Sequence, residues 1–374
     1  MRIAVDASVL HLPELRGIGS YLCELLAAWP EPRDEFALLS PGPIPEGRLR
    51  GPAQKRVLVL PEPRGNRFYT WRWWSLPRAV RRLAPDLLWC PANQAVPVAG
   101  FPQAVTVHDT LLQERVRHVG PIERFYHGWL SPWWTRRYAA RIITVSEFSK
   151  ARIRKVFACA CERVRVIANG ATLPARPFAS KEQARAYLRA KGLVGRPYVL
   201  ALGAQSPWKN TAGALRAFAL AGRQLAEMDF VVAGVQPRAR ERFAALGREL
   251  GLSPRLRMPG FVASADRDAL YQGAEVFVYP SLWEGFGLPP LEAMALNTPV
   301  VASDAASVPE VVGKGALLVD AADPGALARS IVDVLHSPEL GRSLVAAGRE
   351  NVKRFRWDDA ARAHRDLFME CAAR

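Results

Sequence analysis

Cysteine is scarce in this 374-residue chain, with five in all: Cys23, Cys90, Cys159, Cys161 and Cys371. An odd number without paired spacing provides neither a disulfide framework nor a zinc-type cluster, and fits a reduced compartment. No run of 18 apolar residues occurs, so no membrane-spanning helix is expected. The start, Met1-Arg2-Ile3-Ala4-Val5-Asp6, enters a strand-like pattern directly, without the apolar centre of a signal peptide. A cytoplasmic location is the expectation. Short repeats and low-complexity stretches are missing as well, which argues against a solenoid or a disordered tail. Acidic side chains are the scarcer sign, 35 against 51 basic ones, leaving a net charge of +16.

Apolar residues make up 49% and charged residues 23%, the balance of a folded globular protein. A chain of this length exceeds one ordinary core and predicts two domains. The positive excess is uneven: residues 1–170 hold 25 Lys/Arg against 14 Asp/Glu, and 8 of the 11 Trp. Basic residues interleaved with Trp suit an anionic membrane surface, where indoles sit at headgroup level. They also suit single-stranded nucleic acid, and plain Arg-rich composition gives the same pattern. The lipid surface is carried forward, and no nucleic-acid partner is expected.

Short apolar runs alternate with helical patterns. Ile3–Val5, Phe36–Leu39, Val57–Leu60, Leu87–Trp89, Ala104–Val107, Ile142–Val145 and Val164–Ile167 read as buried strands, with helices such as Ser20–Ala28, Pro77–Leu83 and Ser146–Val156 between them. The rhythm restarts at Tyr198–Leu202 and continues through Phe230–Ala233, Leu256–Met258, Val276–Tyr279, Val300–Ala302 and Ala316–Val319. Helices are expected at Ala212–Leu225, Arg238–Leu250, Asp266–Gln272, Pro290–Leu296 and Pro324–His336. This alternation predicts an α/β protein with two Rossmann-like parallel-sheet domains, residues 1–175 and 176–356, facing across a cleft. A last helix, about 357–374, is expected to pack back on the first domain.

The richest motif follows the strand Val276–Tyr279: Glu284-Gly285-Phe286-Gly287-Leu288-Pro289-Pro290-Leu291-Glu292. Gly285 and Gly287 open the backbone to a ligand, and the prolines suit the first turn of a helix. A strand, a glycine turn and a helix N-terminus in succession form an anion site. Taken alone, the same residues also make an ordinary tight turn whose Glu292 complements the helix dipole.

Two glutamates at this spacing resemble the Glu-x7-Glu signature of glycosyltransferase family 4, the retaining, nucleotide-sugar-dependent group with the GT-B fold. Other pieces follow in order: Arg16-Gly17-Ile18-Gly19 resembles its N-terminal glycine loop, and Val105-Thr106-Val107-His108-Asp109 its strand-end His-Asp. Thr144–Lys150 and Ile167–Gly170 resemble its interdomain landmarks, and Lys209-Asn210 its phosphate-binding lysine. The resemblance implies a donor site of Gly17, Gly19, Lys209, Asn210, Gly285, Phe286, Gly287, Leu288 and Glu292. Lys209 would meet the diphosphate, Glu292 the ribose and Glu284 the transferred sugar. His108 would lie near the reacting hydroxyl, so Glu284 and His108 are the catalytic candidates. One departure stands out: many family members carry an arginine where this chain has Ala204 or Trp208.

No metal and no cofactor beyond the nucleotide-sugar are expected. Asp266-Arg267-Asp268 has a metal-like spacing but opens a helical pattern, and the Gly17/Gly19 pair lacks the third glycine of a dinucleotide loop. The run 302–320 resembles a bacterial GDP-mannose-dependent branch that builds O-antigen, which implies mannosyl transfer. UDP-hexose or dTDP-rhamnose are the alternative donors. The Trp/Arg segments Arg64–Arg82 and Arg115–Arg141 imply a lipid-linked saccharide acceptor and peripheral attachment at the inner leaflet. Two rival readings are a nucleotide-sugar epimerase of the same fold and a catalytically silent membrane-binding paralogue.

Overall fold

The computed structural model describes residues 1–12, 15, 17–60, 70–114, 120–172 and 177–373. The chain divides into two compact units, Met1–Gly170 with Phe355–Arg374, and Ala171–Arg354. The expected boundary at 175/176 lies outside the described residues, as do Arg16 and parts of both Trp/Arg segments.

The first unit is built on seven strands: β1 Arg2–Asp6, β2 Glu35–Ser40, β3 Gln54–Val59, β4 Leu87–Cys90, β5 Gln103–Thr106, β6 Ala139–Thr144 and β7 Val164–Val166. All neighbours pair parallel, in the order β3-β2-β1-β4-β5-β6-β7. The second unit holds β8 Tyr198–Leu202, β9 Asp229–Ala233, β10 Leu256–Gly260, β11 Val276–Tyr279, β12 Val300–Ser303 and β13 Ala316–Val319. They too are parallel, in the order β10-β9-β8-β11-β12-β13. Helices cover both faces of such sheets, which is why the central strands are apolar throughout rather than alternating; all four residues of β11 are buried.

In each sheet the strand order reverses once, between β1 and β4 and between β8 and β11. Helices on the two sides of that point leave in opposite directions, so a crevice opens at the carboxyl ends of those strands, where ligands of such sheets bind. Four helices matter below: α1 Gly17–Ala27, α2 Thr211–Ala221, α3 Leu288–Ala295 and α4 Trp357–Ala372.

The core of the first unit joins Trp29, Phe36 and Trp89 to Leu367 and Phe368 of α4. Phe368 lies 5.3 Å from Trp89 and 5.7 Å from Trp29, ring centre to ring centre. The clasp is finished by Asp34, whose carboxylate accepts from the chain's amino terminus at 3.0 Å, Trp29 Nε1 at 3.0 Å and Arg365 Nε of α4 at 2.9 Å. In the second unit Phe218 of α2 stacks on Phe230 of β9 at 4.8 Å.

Several elements differ from the sequence reading. The glycine loop at Gly17 and Gly19 is the first turn of α1, three residues earlier than expected, because packing overrides the poor helix propensity of glycine. The helix expected over Ala212–Leu225 breaks at Gly222, whose φ of +50° turns the rest into a 3₁₀ segment. Residues 121–138 form helical turns, including a π-helical stretch Tyr126–Leu130. A second π stretch, Trp71–Ser75, leads into Leu76–Leu83.

Candidate functional site

In the second unit the site is assembled from the loops after β8 and β11, the two strands flanking the reversal. After β8, a 3₁₀ turn Pro207–Lys209 ends at Asn210, held at φ +51°. The Asn210 amide is fully engaged: its oxygen accepts from Gly213 N at 3.2 Å, capping α2, and its nitrogen donates to Ala321 O at 2.7 Å. Asn210 therefore fixes the loop beside Lys209. Lys209 Nζ donates to Glu284 Oε1 at 2.6 Å and lies 5.8 Å from the ring centre of Tyr279. Burial, and next the neighbouring Glu284 carboxylate, push the Tyr279 phenol well above its ordinary range, so it stays a neutral wall.

The β11–α3 loop is pinned from three sides. Leu282 N and Ser281 Oγ donate to the Trp208 carbonyl at 2.7 and 3.2 Å, Ser303 Oγ donates to Ser281 O at 2.5 Å, and Ser307 Oγ reaches Glu284 O and Phe286 O at 3.0 and 2.9 Å. Gly285 and Phe286 are buried in this loop. Gly287 takes φ +105°, a conformation closed to most side chains, and caps α3. Pro289 and Pro290 follow Leu288 and carry no N–H. The donor capacity at the mouth of α3 is thus concentrated in the amides up to Leu288.

Glu292 lies on α3 in a separate polar contact. Tyr271 Oη donates to Glu292 Oε2 at 2.9 Å, and Arg267 Nη2 stands 3.9 Å from Oε1. Burial raises the Glu292 carboxyl above its ordinary range, and the Arg267 charge only partly opposes this. Each glutamate of the motif therefore has its own cation, Lys209 for Glu284 and Arg267 for Glu292. Arg267, Tyr271 and Tyr279 escaped the sequence reading. The usable signal was the four-residue spacing of Arg267 and Tyr271, which puts both on one helix face. The flanking aspartates are occupied: Asp266 accepts from Lys191 Nζ at 2.5 Å and Tyr187 Oη at 2.7 Å, and Asp268 meets Arg267 at 3.4 Å. At Ala204, where the family resemblance implies an arginine, the backbone exchanges two hydrogen bonds of 3.1 Å with the Thr211 hydroxyl. Arg242, from the helix Pro237–Glu249, reaches the next carbonyl, Gln205 O, at 3.4 Å.

In the first unit, Gly17 faces open space, whereas a Cβ on Gly19 would come within 2.9 Å of Leu15. Gly17 is thus the more open of the two positions. His108 follows β5. Its Nε2 lies 2.9 Å from Pro91 O, its amide donates to Asn93 Oδ1 at 2.7 Å and its carbonyl accepts from Ser149 Oγ at 3.0 Å. A carbonyl only accepts, so the Nε2 carries the proton. Loss of water around the ring lowers the His108 pKa to about 4, so at neutral pH Nδ1 presents a lone pair.

The described parts of the two Trp/Arg segments gather exposed aromatics. Ile122, Phe125, Trp129, Trp133, Trp73 and Trp74 are all exposed. Phe125 stacks on Trp129 at 5.4 Å and Trp129 on Trp133 at 6.2 Å, with Trp73 against Trp134 at 5.7 Å. Arg78, Arg81, Arg82, Arg124, Arg136 and Arg137 are exposed on the same segments. Beneath them Arg72 is buried and paired with Asp6 at the end of β1, and Gln94 joins Arg72 to the Tyr126 hydroxyl. No helix among the described residues is long and apolar enough to cross a membrane.

Two family models match the chain: one described as Glycosyltransferase Family 4 over residues 15–173, and one described as Glycosyl transferases group 1 over residues 185–351. The chain is 31% identical to the O-antigen chain mannosyltransferase B of Escherichia coli over 59% of its own length and 58% of that protein's. It is 31% identical to the MMP alpha-(1->4)-mannosyltransferase of Mycolicibacterium hassiacum, over 74% of this chain and 67% of that one. Among solved structures, sucrose-phosphate synthase from Thermosynechococcus elongatus superimposes with a TM-score of 0.78 at 22% identity, covering 100% of this chain and 99% of the other.

Proposed function

The chain belongs to glycosyltransferase family 4, with the GT-B fold, and on that premise we propose that it transfers a hexose, mannose from GDP-mannose, to a lipid-linked or oligosaccharide acceptor with retention of anomeric configuration. The observation that carries the reading is the Lys209–Glu284 pair, 2.6 Å apart, beside the proline-edged mouth of α3. Cleaving a sugar from a nucleoside diphosphate builds negative charge on the leaving phosphate and positive charge at the anomeric carbon. Lys209 and the amides up to Leu288 stabilise the first. Glu284 accepts from the hydroxyls of the transferred sugar and lies near the second. Glu292, held by Tyr271, accepts from the ribose hydroxyls. Arg242, reaching the β8 loop from the helix Pro237–Glu249, supplies the second positive charge. By the family resemblance, Gly17 is the first unit's candidate for close backbone approach to a phosphate. His108 Nδ1, unprotonated, accepts a hydrogen bond from a hydroxyl of the reacting sugars.

Mannose is supported by the two mannosyltransferase relatives and by the 302–320 run. A lipid-linked acceptor, and peripheral binding at an anionic leaflet, are supported by the stacked aromatics flanked by arginines, the composition that partitions to headgroups.

A thermal-shift panel with GDP, UDP, dTDP and ADP tests the donor. A ligand at 100 times its Kd stabilises by about 2.7 kcal/mol, enough to read as a shift. GDP is expected to give the largest shift. A shift with UDP and none with GDP overturns the mannose reading, and a shift with none of the four overturns the site itself.

A further inference from the structure

His108 does not stand alone behind the first unit's sheet. Its ring meets the Tyr21 ring edge-on, centroids 4.7 Å apart at 89°. Tyr21 is on α1, and its hydroxyl lies 2.7 Å from His364 Nε2 of α4 and 3.2 Å from Thr106 Oγ1 of β5. Thr106 in turn takes Trp89 Nε1–H at 3.1 Å. His364 Nδ1 lies 2.7 Å from the Ala360 carbonyl, which only accepts, so Nδ1 holds the ring's proton and Nε2 must accept. Every proton in the row is then assigned: Trp89 donates to Thr106, Thr106 to Tyr21, Tyr21 to His364, and His364 to Ala360. All four side chains are buried. A row with one allowed direction holds each member in one orientation.

We infer that Tyr21 and His364 are positioning residues for His108, so that the last helix of the chain aims the Nδ1 lone pair used in transfer. This rests on the reading of His108 given above. Neither residue reaches the reacting atoms. Their effect passes through the Tyr21 ring, which forms one wall of the His108 position. Without its acceptor on α4 the Tyr21 hydroxyl keeps only Thr106, and the ring that walls His108 loses its tie to α4.

The full-length chain is labelled with 15N-histidine and compared as wild type, His364→Phe, His364→Gln and Tyr21→Phe, by imidazole NMR and by steady-state transfer. Phenylalanine keeps the ring volume and removes the acceptor, whereas glutamine offers an oxygen near the Nε2 position. The expected result is that His364→Phe and Tyr21→Phe move the His108 ring resonances and lower kcat about tenfold, leaving donor KM within about twofold, and that His364→Gln recovers both. His108 resonances unmoved in both Phe variants overturn the inference, as does a Gln variant no better than Phe. If His364→Phe fails to fold, Tyr21→Phe decides it. A wild-type chain that transfers no sugar defeats the functional reading, and the resonances then decide this inference by themselves.

Discussion

Glu284 Oε1 accepts a hydrogen bond from Lys209 Nζ at 2.6 Å, joining the loops after β8 and β11 across the point where the strand order reverses. The side chains are 13% and 31% exposed, so the pair is only partly withdrawn from water and contributes little to stability; under the proposed function it holds a cation for an anionic ligand.

Lys209→Ala is expected to abolish most of the nucleotide-induced thermal shift and to lower kcat/KM on the order of 10–100-fold, the weight of a charge-assisted hydrogen bond. The melting temperature without ligand should change little. Glu284→Gln should lower kcat more than donor KM. Unchanged kcat in Glu284→Gln would remove that residue from the reaction.

Glu292 gives a stability prediction of opposite sign to its proposed role in binding. Its carboxyl is raised by burial above the unfolded value. The folded state therefore holds the proton more tightly, a contribution present at acid pH and lost as pH rises through the folded pKa. Glu292→Gln should raise the melting temperature at pH 7, with less gain near pH 4, while weakening nucleotide binding at both. Differential scanning fluorimetry across pH checks it.

His108 and His364 are both lowered to about 4 by burial. Their folded values lie below the unfolded one, so their share of stability is complete above the unfolded pKa and disappears as pH falls toward 4. Each shift corresponds to on the order of 3 kcal/mol. Stability measured by urea unfolding should fall steeply between pH 6.5 and 4, and His364→Gln should flatten that slope.

Burial of Arg72 against Asp6 is the support under the aromatic segments. Asp6→Asn should cost about 1.5–3 kcal/mol, the weight of a hydrogen bond to a charged group, because it removes the buried carboxylate that accepts from the Arg72 guanidinium. Trp129→Ala with Trp133→Ala should leave the melting temperature nearly unchanged and reduce sedimentation with anionic liposomes at low salt. Equal sedimentation of variant and wild type would detach the ladder from membrane binding.

Phe368→Ala should cost about 3–5 kcal/mol, since its ring fills the space between Trp29 and Trp89.

The thirteen strands of the described residues were legible as short apolar runs, the form that parallel strands covered on both faces take; the edge strands β3 and β10, with no buried residue, were legible only from their apolar stretches. Glu284, Glu292 and Lys209 were legible as an ordered set. What stayed hidden depends on partners distant in the chain. The Tyr21–His364 contact spans nearly the whole sequence, and Arg267 looked like part of an acidic triplet until the fold set it beside Glu292. The π stretches at Trp71–Ser75 and Tyr126–Leu130 were hidden for another reason, because a one-residue offset in helical hydrogen bonding leaves little trace in residue type.

The first unit joins Met1–Gly170 to Phe355–Arg374 around the whole of Ala171–Arg354. Seating Phe368 against Trp29 and Trp89 is therefore a long-range step that carries a loop-closure cost. Ala171–Arg354 is continuous, and its core is drawn from its own residues alone. Excision of residues 355–374 would open the core of the first unit and leave that of the second intact.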